Sequence, residues 1–263
     1  MQRAFSLVEL SIVLVILGLL VGSVLAGQSL IRAAELRSVT TQIDKYRAAA
    51  HTFRDKYFAL PGDMANATQF WGELDPAIAT CAATATTSGT ATCNGDGNGR
   101  IRYDAAPSSG AYFSETYRFW QHLANAGLIE GSYTGVGTGL TATDVGTVAG
   151  INSPKSAISN AAWWVSYDQS SGLGMYPAAL PRNNFRVGGT TTTSWPAGKL
   201  FTPTELWSID TKLDDGKPAL GIVTAPISSY PALPDCTTSD ATTAEYELTI
   251  TSKECMGYFA VGL

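Results

Sequence analysis

Charge is scarce in this chain. Only 15% of its 263 residues are charged, and the formal net charge is −5. That balance lacks the basic surface that nucleic-acid binding needs, so no nucleic-acid partner is expected. Histidine is scarcer still. His51 and His122 are the only two, and neither has a Glu-x-x-His or His-x-x-x-His partner. No G-x-S-x-G elbow and no P-loop occur, and the four cysteines lack the C-x-x-C spacing of a zinc cluster. With no catalytic motif, the chain is expected not to be an enzyme.

Two local absences say more. Residues 10–31 carry no charge, and residues 5–60 contain no proline. The uncharged run is long enough, at 1.5 Å per residue, to cross the ~30 Å hydrocarbon core of a bilayer. It is too long for the apolar region of a cleaved secretory signal, and no small-x-small site closes it. Arg3 in the short leader argues for a cytoplasmic N-terminus and an exported bulk. Glu9 stands at the head of this run, where a lone carboxylate costs roughly 2.5–3.5 kcal/mol at the centre of a span.

Beyond Gln28 the pattern changes. Leu36, Val39, Ile43, Tyr46, Ala50, Phe53 and Tyr57 recur at spacings of three and four, one stripe of a helix. Arg37, Asp44, Lys45, Arg47, Arg54, Asp55 and Lys56 lie between them as a solvated face. The spacing predicts one helix of about 50 residues, roughly 80 Å long. Its first half is greasy all round and its second half amphipathic. Leu60-Pro61-Gly62-Asp63 ends it, with Asp63 expected to cap the following turn rather than bind a ligand.

The remainder reads as loops, short strands and one more helix. "SETYRFWQHLANAGLI" (114–129) is that helix, with Ser114 as N-cap and Gly127 near its end. "AAWWVSYD", "KLFTPTELWSIDTKLDDGKPALGIV", "EYELTITS" and "MGYFAVGL" are expected strand regions, from their aromatic and β-branched content or their alternation. The tryptophans suit a core better than a ligand platform. The four cysteines, Cys81, Cys93, Cys236 and Cys255, fall in two separated pairs, which suits an oxidising compartment. Four cysteines allow three connectivities. Local pairing, Cys81 with Cys93 and Cys236 with Cys255, is the expectation because it closes two short loops.

One loop has the spacing of a cation site. In Asn94-Gly95-Asp96-Gly97-Asn98-Gly99-Arg100-Ile101, oxygen side chains alternate, a glycine stands sixth and an isoleucine eighth. That is the start of an EF-hand-like calcium loop. The twelfth position is Ala105, so Asp104 or Glu115 would complete the shell. The same residues also suit plain Asn-Gly and Asp-Gly turns. Asp210, Asp214 and Asp215 form a second acidic group, in a stretch that reads as an ordinary turn.

"FSLVELSIVLVILGLL" resembles the prepilin N-terminal motif of type IV pilins and type II secretion pseudopilins. "KYFALPGDMANATQFWG", "NGDGNG" and "IDTKLDDGKP" are similar, more loosely, to stretches of large pilin-like proteins of Gram-negative bacteria. The resemblance implies a leader of residues 1–4, cut by a prepilin peptidase between Ala4 and Phe5. It implies an N-methylated amine on Phe5 and an assembly role for Glu9. The chain has Ala4 where the family usually has glycine before the cut. It has Ala26 and Gly27 where many members have a proline.

The expected fold is α+β. A spine helix over 5–58, with its transmembrane segment at about 10–31, carries a head over 59–263 built on an antiparallel sheet. The expected function is a structural subunit of a type IV pilus or a type II secretion pseudopilus. Its partners would be other pilin-like subunits, prepilin peptidase and an inner-membrane assembly platform. The expected location is the bacterial inner membrane, single-pass with a periplasmic head, and then the filament. A minor tip subunit whose head binds a ligand or surface, and a membrane-tethered periplasmic enzyme, are the alternatives.

Overall fold

The computed structural model describes residues 7–74, 89–102, 115–137, 146–168, 182–190, 195–226 and 235–262. Helix α1 runs unbroken over Leu7–Tyr57, 51 residues, or about 77 Å of rise. Its apolar half is exposed: none of its most hydropathic 18-residue window is buried. By length and composition it is the one described helix able to cross a membrane. Burial begins where the amphipathic stripe begins. Val39, Ile43, Tyr46, Ala49, Ala50 and Phe53 are buried, and Leu36 and Tyr57 pack at the margins. Helix α1 stops at Tyr57, where the chain turns through Phe58 towards Pro61-Gly62.

The stripe packs on a four-stranded antiparallel sheet. Strands β1 (Ala161–Asp168), β2 (Arg182–Gly189), β3 (Val223–Thr224) and β4 (Gly257–Ala260) lie in the order β1-β2-β4-β3. Register places Val165, Phe185, Phe259 and Val223 in one row across all four strands. All four are fully buried. Successive side chains face opposite sides of a sheet, so Trp164, Arg186 and Tyr258 form a row on the other face. That face is covered too. Trp164 is 2% exposed, and Arg186 lies over the rings of Trp195 and Tyr258 at 4.9 and 4.8 Å.

A one-turn helix α2 (Thr68–Trp71) and helix α3 (Glu115–Asn125) pack beside the spine. Helix α3 is the second helix read from sequence, and it brings Phe119 and Trp120 against Phe185. Tyr46 of α1 is the hub. Its ring centroid lies 5.0 Å from Trp120, 5.4 Å from Trp163 and 6.2 Å from Phe185. Burial pushes its phenol pKa up, so it stays neutral.

Two strand expectations fail. Within "KLFTPTELWSIDTK" the chain forms helix α4, Pro203–Leu213. A capping box starts it: Thr202 Oγ1 accepts from the Glu205 amide, and the Glu205 carboxylate accepts from the Thr202 amide. Pro203 stands in its first turn, where its missing N–H costs nothing. "EYELTITS" forms turns and a single bridge, Thr237 to Tyr246, rather than a strand. The Cys236–Cys255 disulfide holds that region, with a Cα separation of 5.1 Å. Closing such a loop contributes about 3 kcal/mol in the chain-entropy model. Cys93 is also disulfide-bonded. Cys81 lies outside the described residues.

A polar latch joins spine to head just past the apolar half. Arg32 donates from Nε and Nη2 to both oxygens of Glu205, at 2.6 and 2.8 Å. It also donates to the Leu200 carbonyl and to Glu35. Glu205 thus closes the cap of α4 and grips the spine at once, which fixes where the head sits along α1.

If the Tyr46 hub carries the spine–head seam, Tyr46→Ala should cost the head about 3–5 kcal/mol, as large-to-small aromatic core changes do. Leu14→Ala, at a site 62% exposed, should leave head stability unchanged. Urea unfolding followed by tryptophan fluorescence measures both.

Candidate functional site

The N-terminal site is set by what the apolar half does with its few polar atoms. Glu9 lies in the first turn of α1. Ser11, Ser23 and Ser29 each donate to the carbonyl three residues back, at 2.8–2.9 Å. Their hydroxyls are therefore satisfied within the helix, as a lipid or protein interior requires. Glu9 is left as the one ionisable residue among residues 7–31. Ala4 and Phe5, the expected processing residues, lie outside the described residues.

A second site sits at the distal end of the spine, where the chain leaves α1. Asp63, Asp96 and Glu115 each bring a carboxylate oxygen within 4.8 Å of the others. Close backbone packing assembles them. The loop from Asn94 lies over Gly62-Asp63, with the Gly95 amide donating to Met64 O and the Gly97 amide to Asp63 O. A side chain on Gly95 would meet the Asp63 Cα at 2.4 Å. Gly62 has φ +86 and would put a Cβ 2.4 Å from the Glu115 carbonyl, so only glycine serves there.

Backbone amides orient the carboxylates. Asp63 accepts from Asn98 and Gly99, at 3.0 and 2.8 Å. Glu115 accepts from Asp96 and Arg102, at 3.2 and 2.7 Å. Of the loop oxygens read from sequence, Asp96 faces the cluster. Asn94 Oδ1 accepts from the Thr68 amide and Asn98 Oδ1 from the Arg100 amide. Asp104 lies outside the described residues. Asp63, read from sequence as a cap, joins the ligand-type cluster as well as holding the loop.

Burial dominates the electrostatics. Glu115 is fully buried, and desolvation raises its pKa to about 8 against the pull of the two amides, with Asp63 and Asp96 adding to the rise. Desolvation raises Asp63 too, and its neighbour Asp96 pushes the same way. Arg118, one turn along α3, is 1% exposed, and burial lowers its pKa to about 10. Nearby His122 is sealed. The Gly62 amide donates to its Nδ1, so the proton sits on Nε2, facing Thr92 Oγ1 at 3.0 Å. Burial lowers its pKa to about 3, which keeps it neutral and structural.

The second acidic group also converges, with Asp210, Asp214 and Asp215 each offering an oxygen within 4.8 Å. Its members already have local work. Asp210 accepts from the Tyr246 hydroxyl at 2.8 Å and from the Gly216 amide. Asp214 accepts from the amides of Ile222 and Val223 at the edge of the sheet. Burial raises the pKa of Asp210 to about 7.

Residues 1–25 match the family model of the prokaryotic N-terminal methylation motif. The match supports a type IV pilin-like or pseudopilin family. No curated protein and no solved structure matches the chain. The match falls on the leader, Glu9 and most of the apolar half of α1. The acidic cluster of the head lies outside it.

The raised Glu115 carries a stability signature. Its folded pKa of about 8 exceeds its ordinary value of 4.5, so between those two values the folded state holds a proton that the unfolded state has lost. Head stability should therefore fall as pH rises through that window and level off above it. Glu115→Gln should flatten the slope. Urea midpoints of the head between pH 5 and pH 9 check this, and an unchanged slope in the variant would contradict it.

Proposed function

We propose that this chain is a structural subunit of a filament, either a type IV pilus or a type II secretion pseudopilus. It would be anchored in the inner membrane with its head in the periplasm until it assembles. One observation carries the reading: an apolar helix half left exposed to its surroundings, headed by a single carboxylate. In a filament, copies of that half bury one another. Cutting after Ala4 removes Arg3 and creates a positive amine on Phe5, and Glu9 of an incoming copy pairs with it. At ~4 Å such a pair is worth about 1 kcal/mol in water and roughly 4 at an effective dielectric of 20. The pair also sets register, because the apolar stripe alone would slide by a turn at little cost.

The reading is structural rather than catalytic, and the neutral, sealed His122 supports it. We further propose that the head takes a calcium ion at Asp63, Asp96 and Glu115. Their mutual approach and the raised Glu115 support this, since a divalent cation would take the place of the proton. In the pH titration above, millimolar calcium should raise the melting temperature at pH 8, where Glu115 begins to ionise. Asp96→Ala should remove the gain, and no calcium-dependent shift would refute the site.

For assembly, Glu9→Ala should leave membrane insertion and head folding intact and abolish most filament formation. Glu9→Gln should behave alike, because it keeps size and loses charge. Sheared-fibre yield against membrane-bound protein measures it. Normal fibre yield from Glu9→Ala would remove the pairing role.

A further inference from the structure

Among the described residues, two apolar surfaces are left uncovered. One is the first half of α1, where exposures run from 50% at Val13 to 84% at Leu7. The other is an aromatic step at the opposite end of the same helix. Phe58 is 92% exposed and Phe70 is 54% exposed. Tyr57, the residue before Phe58, has its ring centroid 5.3 Å from Phe70 and 5.4 Å from Trp71. The other exposed large apolar residues of the described head are each less exposed than Phe70. A cavity of about 460 Å³ opens beside Phe58, lined by Arg54, Tyr57, Leu60, Asn66 and Gly97 among others.

Phe58 is also held in an unfavourable backbone shape. It follows the last helical residue with φ +52, and its amide donates to the Arg54 carbonyl at 2.8 Å. That is the left-handed position after a helix, where glycine is the strain-free residue. A bulky side chain there is a conformational outlier. Solvation and backbone geometry both oppose a phenylalanine at this point, and the ring packs on too little of its own head to offset them. Such an outlier points to work done outside the folded monomer.

We propose that this aromatic step is the seat for the apolar half of α1 from a second copy of the chain. The inference rests on the filament reading and adds where one copy meets the next. The seat is apolar and needs an apolar occupant, and the chain itself carries one that is exposed along its whole length. Copies that share one membrane stand parallel, with their steps on the same side, so a step can meet only the helix half of a copy displaced along the axis. The contact joins unlike surfaces, so it does not close on a dimer and repeats into an open filament. Seating any of residues 7–31 against Phe58 requires a stagger of 27 to 51 residues, roughly 40–77 Å along the helix. The step lies far from the bilayer end of the rod, so it stays empty until a partner helix leaves the membrane. The helix half then covers the step, while the rest of that half is buried among the helix halves of other copies.

The test uses the full-length chain in cells that assemble it. A benzophenone amino acid placed at position 58 is irradiated, and interchain adducts are mapped by mass spectrometry. Adducts to peptides within residues 7–31 of a second copy are expected. Adducts confined to head peptides, or none from assembled material, would overturn the seat. Phe58→Gly separates this role from folding. It relieves the left-handed strain, so the head's melting temperature should hold or rise while fibre yield falls by about tenfold or more, as loss of a central aromatic contact does. Unchanged fibre yield would overturn the seat. If Glu9→Ala abolishes fibres and Phe58→Gly does not, the seat alone fails. If neither variant changes assembly, the filament reading fails with it.

Discussion

The seam between α1 and the sheet, centred on Tyr46, is the constraint on which the rest depends. One helix must satisfy two surroundings. Its first half is exposed and, Glu9 apart, carries residues that tolerate lipid or a protein core. Its second half must hold a head in water. Tyr46 closes that joint by meeting α3, β1 and β2 at once, through Trp120, Trp163 and Phe185. Arg32 fixes the other end of the joint by gripping the cap of α4. These two points fix the position of the head along the rod.

Much of this was legible in the sequence, because periodicity reports burial. The three-and-four spacing from Leu36 to Tyr57 marks the face that meets the sheet, and "AAWWVSYD" is β1 residue for residue. Strand β2 was not legible. "RNNFRVGG" carries arginine, asparagine and glycine, and it is a strand because its polar residues are buried among partners brought from elsewhere. Arg186 needs Trp195 and Tyr258, and Asn183 reaches Ile101 and Gly99. Helix α4 was misread as strand although its local signal was present. Thr202, Pro203 and Glu205 form a complete start sequence, and the neighbouring aromatic and β-branched residues outweighed it. "EYELTITS" alternates, but a disulfide and the Tyr246–Asp210 bond set its path instead.

The acidic site shows the same limit in another form. The loop from Asn94 to Ile101 is readable by spacing alone, yet spacing says nothing of a residue some thirty positions earlier. Asp63 arrives because Gly62 and Gly95 let two backbone segments touch. The result is three carboxylates held close by backbone amides, with Asp63 and Glu115 buried and Asp96 exposed. Burial and the neighbouring carboxylates of Asp63 and Asp96 both favour the protonated form of Glu115.

The proposed assembly rests on cleavage after Ala4, which would give Phe5 a free amine to pair with Glu9 of a neighbouring copy. The most direct measurement is the intact mass and N-terminal peptide of the protein recovered from assembled fibres. The account predicts a chain that begins at Phe5 and carries an N-methyl group. An uncut chain beginning at Met1 within those fibres would contradict it.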